Sequence, residues 1–86
     1  MIRQSIRFSK DHPMTRSYAA QVVQTAGHFE SRCMIMSGHK IINAKSMLGL
    51  LSLAAFTGDD LVLMVDGADE REAMEAMLQT EGIEEA

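Results

Sequence analysis

The 86-residue chain has a single cysteine, Cys33, and a single proline, Pro13. One thiol excludes an internal disulfide, and one cysteine with three histidines leaves too few soft ligands for a structural zinc site. Neither a metal nor another cofactor is expected. Basic residues are also few: eight, scattered from Arg3 to Arg71, against twelve acidic ones, for a net charge of −4. Gripping a phosphate backbone takes clustered Lys and Arg, so direct nucleic-acid binding is not expected. No run approaches the ~20 apolar residues of a membrane span. The opening Met1-Ile2-Arg3-Gln4-Ser5-Ile6 has no apolar core of signal-peptide length. These absences lead to the expectation of a soluble cytoplasmic protein with no membrane contact.

What is present is ordinary globular material, 47% hydrophobic and 23% charged. A chain of this length is expected to form one domain over residues 1–86, a compact two-layer packing with a modest core. Ile2, Gln4, Ile6 and Phe8 alternate with Arg3, Ser5, Arg7 and Ser9, the period of a strand with one buried face. Asp11-His12-Pro13 ends that strand. Ala19, Val22, Val23 and Ala26 then form a stripe of helical width that Gly27 closes.

Alternation returns from Glu30 to Ser37. Ser37-Gly38-His39-Lys40 is a turn, and Ile41-Ile42 starts the returning strand of a hairpin. A short helix entered at Ser46 and closed by Thr57-Gly58-Asp59 comes next, then a strand from Leu61 to Val65. Asp69-Glu70-Arg71-Glu72 has the spacing of a capping box, with Asp69 as cap and Glu72 three residues on. Ala73, Met74, Met77 and Leu78 form the stripe of a last helix, and the acidic tail from Gly82 to Ala86 is expected to fray. The order β-α-β-β-α-β-α, with no repeat and no linker, makes an α+β fold. Its sheet is mostly antiparallel and covered on one side.

The stretch Asn43-Ala44-Lys45-Ser46-Met47-Leu48-Gly49-Leu50-Leu51-Ser52-Leu53 stands out. Ser46 is a good helix cap, and the leucines and methionine behind it exceed what one buried face of a short helix needs. Together with Thr57-Gly58-Asp59 and Gly67-Ala68-Asp69-Glu70, this stretch resembles the HPr family of small phosphoproteins of bacterial sugar uptake and catabolite control. The likeness is weakest between Lys10 and Ala20. It implies an open-faced β-sandwich of four antiparallel strands under three helices, and a protein that is not itself an enzyme.

Members of that family carry phosphate on a histidine at the start of the first helix, followed by an arginine and a proline. Anchored on Val23-Gln24-Thr25-Ala26, the resemblance puts Thr15 at the histidine position, Ser17 at the arginine and Tyr18 at the proline. Thr15 is a good cap but a poor phosphoryl acceptor, since an alcohol without a base is far less nucleophilic than a neutral imidazole. Arg16 is one position early and points about 100° round the helix from the family direction. His12, three residues before Thr15, is the alternative carrier if its loop folds back. His28 and His39 read as surface residues.

In the family the serine matching Ser46 is phosphorylated by a dedicated HPr kinase/phosphorylase, and the product docks on a LacI-type catabolite control regulator. Met47, Leu48 and Leu51 match the docking surface, Lys45 and Gly49 also fit, and Arg16 is a further candidate contact. At least one of the three apolar residues is expected to pack inward. A histidine replaced and a serine kept is the combination of the Crh-like (catabolite repression HPr) members. Three functions follow in order. The first is a regulatory phosphoprotein switched at Ser46. The second is a phosphocarrier of the sugar phosphotransferase system working with Enzyme I through His12. The third is an HPr-fold interaction domain without phosphorylation. Eight methionines and an apolar short helix allow either a monomer or a weak homodimer.

Overall fold

The alternation at the start of the chain becomes β1 (Ile2–Phe8), whose even-numbered residues turn toward the core and whose odd-numbered ones turn out. The computed structural model describes residues 1–54 and 59–86. After β1 come α1 (Arg16–Gly27), β2 (Arg32–Ser37), β3 (Lys40–Asn43), α2 (Met47–Leu51), β4 (Leu61–Asp66), α3 (Glu70–Leu78) and β5 (Ile83–Glu85). All strands lie in one antiparallel sheet of order β3-β2-β4-β1-β5.

The register explains the core. Leu63 lies opposite Gln4 on one side and Ile35 on the other, and Ile35 faces Ile42. These positions share the face that the helices cover. Ile6, Ile35, Leu61, Leu63 and Val65 are buried there together with Val22 of α1, Leu50 of α2 and Met77 of α3. The opposite face carries Arg3, Met64 and Met34 side by side. The β2–β3 hairpin turns through two residues, Gly38 and His39, between the paired Ser37 and Lys40. Gly38 has φ +60°, a conformation glycine adopts without a Cβ penalty and the one a tight hairpin needs at its first central residue.

Three expectations change. The sheet has five strands, not four, because the acidic tail does not fray. Ile83 is buried, and β5 pairs with β1 through Ile6↔Glu85, Arg7↔Glu84 and Phe8↔Ile83. The capping box does not form either. Asp69 makes no cap bond to its own helix. Its carboxylate instead accepts from the Glu30 and Ser31 N–H groups, both at 2.9 Å, and from the buried Ser31 hydroxyl. Those bonds, the Ser31 hydroxyl first, hold the Asp69 carboxyl below the usual aspartate range. Tying two chain segments together outcompetes a local cap that solvent could replace.

Lastly, α2 stops at Leu51 with Ser52 as its cap; Thr57 and Gly58, expected to close it, lie outside the described residues. Among the described residues no helix is long and apolar enough to cross a membrane, and no His/Cys/Asp/Glu cluster could hold a metal ion.

Candidate functional site

Two helix starts carry the candidate residues. At α2 the approach is built by Asn43. Its carbonyl accepts from the Ser46 N–H (2.9 Å) and its side-chain oxygen from the Lys45 N–H (2.9 Å). That turn delivers Ser46 in an extended conformation (φ −107°, ψ 118°), and its hydroxyl accepts from the Gly49 N–H at 3.2 Å. Ser46 is therefore the cap its position in the sequence suggests, and it remains partly exposed. Gly49 packs closely: a Cβ there would meet the Asn43 carbonyl, Ile42 and Ser46 at 3.4 Å each.

Behind Ser46 the apolar residues divide. Leu50 is fully buried and anchors the helix, while Met47 and Leu51 are half-buried against the core. Leu48 is 82% exposed, the most exposed large hydrophobic among the described residues. Lys45 reaches back to donate to the Phe29 carbonyl at 2.7 Å, fastening the start of α2 to the turn after α1. Its ammonium is thus engaged within the chain, beside Ser46 in the sequence.

The start of α1 differs. Thr15 is the cap (φ −87°, ψ 171°), its hydroxyl accepting from the Tyr18 N–H at 3.2 Å. Arg16 and Ser17 are exposed, whereas Tyr18 is buried, edge-on to Phe8. His12 is not free in its loop. Its ring lies against Tyr18 (centroids 5.7 Å) and its Nε2 sits 3.2 Å from the Glu81 carboxylate. Its Nδ1 is buried and meets no hydrogen-bond partner among the described residues.

The Tyr18 hydroxyl donates to the Glu81 carbonyl at 2.8 Å. Burial, and then the Glu81 charge, push that phenol up to about 12, so it stays a donor. The engagement of His12 by Tyr18 and Glu81 was not anticipated from the sequence, because Glu81 lies 69 residues from His12. The positive-φ glycine that follows Glu81 is the only local sign of a tight turn there. His28 and His39 are exposed, as expected. Cys33 is fully buried, and burial pushes its thiol up, which leaves it a poor nucleophile.

Residues 3–80 match the family PTS-HPr, described as the PTS HPr component phosphorylation site. The chain belongs to the HPr family. An HPr-like protein Crh from Halalkalibacterium halodurans is 47% identical over 60 residues, covering 70% of this chain and 71% of that one. Among solved structures, a histidine-containing phosphocarrier protein from Mycoplasma superposes with a TM-score of 0.82 at 25% identity, over 92% of this chain and 90% of that one. The Crh protein of Bacillus subtilis, crystallised as a dimer with a swapping domain, matches with a TM-score of 0.68 at 41% identity, over 73% of this chain and 72% of that one. The chain is thus an HPr family member close to Crh, and like these relatives it is not an enzyme.

Proposed function

We propose that residues 1–86 act as one HPr-like regulatory domain, phosphorylated on Ser46 by an HPr kinase/phosphorylase and then bound by a LacI-type catabolite control regulator in the cytoplasm. One observation carries this reading: Ser46, partly exposed, caps α2 two residues before the 82% exposed Leu48. The first-turn N–H groups of a helix are free donors, so phosphate oxygens on Ser46 find partners without refolding the chain. A dianion appearing at the start of a helix that exposes a leucine then changes the surface far more than the fold.

Met47 and Leu51, half-buried, would extend that contact, and Arg16 would add a cation from α1. The test is the intact mass after incubation with ATP and purified HPr kinase/phosphorylase, with Ser46→Ala as control. A gain of one phosphoryl group in the wild type alone is the expected result. No gain removes the reading.

A second reading, a phosphocarrier loaded by Enzyme I through His12, draws on the likeness to the Mycoplasma phosphocarrier. The packing of His12 weighs against it, since one ring nitrogen faces Glu81 and the other is buried. An acid-labile phosphate after incubation with phosphoenolpyruvate and Enzyme I, lost in His12→Ala, would replace the first reading with this one. Thr15, at the position expected for the family histidine, takes no part in either.

A further inference from the structure

The register also lays out the face of the sheet that the core does not use. Ile41 of β3, Met36 of β2, Val62 of β4 and Ser5 of β1 form one row across four strands. Asn43, Met34, Met64 and Arg3 form the next row, two residues along each strand. Ile41 is 54% exposed, and Met34, Met36 and Val62 are only partly buried. None of these, nor the buried Met64, belongs to the core on the other face. With strands about 4.8 Å apart and a rise of about 3.4 Å per residue, the two rows cover roughly 14 by 7 Å. Five apolar side chains that adjoin in this way mark a contact surface, which singly scattered ones do not.

The charge around the patch is lopsided. On one side Arg7 is answered by Asp60 at 3.1 Å and lies opposite Glu84. On the other stand Arg3 and Arg32, both exposed and, among the described residues, without an ion-pair partner. Asp66, opposite Arg32, is 3.4 Å from the Met1 ammonium instead.

We propose that this face docks an amphipathic helix of a partner protein, apolar along the stripe that meets the methionines and acidic along one edge. Met34, Met36 and Met64 give the patch the unbranched, polarizable side chains that adapt to a partner's shape. Two strand spacings and one two-residue step put the Arg3 and Arg32 Cα atoms roughly 12 Å apart. Residues seven apart in a helix are separated by about 10.5 Å. Carboxylates at i and i+7 of the partner therefore reach both guanidinium groups, whose forked geometry suits them. The docked helix completes a third layer, with helices on both faces of the sheet. A net charge of −4 opposes an anionic membrane or a nucleic acid, which would need positive charge over a broad area. Two carboxylates need only the two arginines.

The test uses a synthetic helical peptide with leucines at i, i+3, i+4 and i+7 and glutamates seven residues apart along one edge. A second peptide has lysines in place of the glutamates. Each is titrated into the isotope-labelled full chain and followed by NMR. Saturable binding of the glutamate peptide is expected, with shifts at Met36, Ile41 and Met64 and none at Leu48. Arg3→Glu combined with Arg32→Glu, both exposed positions, is expected to weaken that binding at least about tenfold and to admit the lysine peptide instead. Ile41→Asp is expected to weaken both peptides alike.

Absence of saturable binding by the glutamate peptide overturns the proposal. So does equal affinity for the two peptides, or a set of shifts centred on α2. Binding to phosphatidylglycerol vesicles without binding to the peptide overturns it as well, since the face would then be a lipid surface. Should Ile41→Asp fail to fold, the charge reversal at Arg3 and Arg32 decides alone.

Discussion

The starts of α1 and α2 are built alike and used differently. Each is entered through a hydroxyl residue in an extended conformation that accepts from the N–H three residues on, Thr15 from Tyr18 and Ser46 from Gly49. At α1 the first turn is then gripped from outside, with Tyr18 buried and bonded to Glu81 and His12 wedged beside it. At α2 one leucine goes inward and its neighbour two residues earlier stands in solvent. The lesson is that a cap says where a helix begins and nothing about whether its end is available. Availability comes from what the rest of the chain lays across it: β5 and its connection at α1 and, among the described residues, the Lys45 bond to the Phe29 carbonyl at α2.

Five substitutions break or sharpen that contrast. Leu50→Ala removes the anchor of α2 and should cost about 2–5 kcal/mol, the range for emptying a fully buried leucine site. Urea denaturation would read it, and a loss under 1 kcal/mol would mean α2 is not held by its inward leucine. Gly82→Ala loads the α1 end, forcing a side chain into a left-handed turn against Tyr18, and should cost roughly 1–3 kcal/mol. An unchanged melting temperature would show that the grip on α1 is slack.

The two caps should then prove equal. Thr15→Ala and Ser46→Ala each should cost about 1 kcal/mol. A much larger value at Thr15 would mean that the grip on α1 works through the cap itself. Smallest of all, Leu48→Ala should leave stability within about 0.5 kcal/mol. It should nonetheless weaken binding of the Ser46-phosphorylated protein to the catabolite regulator, measured by calorimetry. Unchanged affinity would remove Leu48 from the contact surface.

Much of this could be read in advance wherever the signal is local. The period of two in Ile2–Phe8, the glycine turn at Gly38 and the helical stripe of Ala19, Val22 and Ala26 each report a structure made by neighbours in the chain. So do both caps. What was not legible depends on partners far away. Ile83-Glu84-Glu85 holds one apolar residue and so shows no period, and it is a strand only because β1 has a free edge to offer. Asp69 has the spacing of a cap, yet Ser31 and Glu30 claim its carboxylate from 38 and 39 residues away. The engagement of His12 was hidden for the same reason, since nothing nearby announces Glu81. At the candidate site the inward turn of Leu50 and the outward turn of Leu48 were foreseeable only as a surplus of apolar residues. Which was which had to wait for the packing of α2 on α1 and β3.

The strand order has a further consequence, for how the chain is made. β1 is synthesised before the other strands but has no neighbour until β4 arrives, Ile2 pairing with Val65 and Ile6 with Leu61. At about 5–20 residues per second, a ribosome leaves that alternating apolar segment without its central partner for roughly 3–12 s. Hairpin β2–β3 pairs adjacent residues, and β4, synthesised later, lies between it and β1. Birth order and spatial order are thus opposed in this sheet, so its first strand waits for a partner that the chain supplies only after β2 and β3.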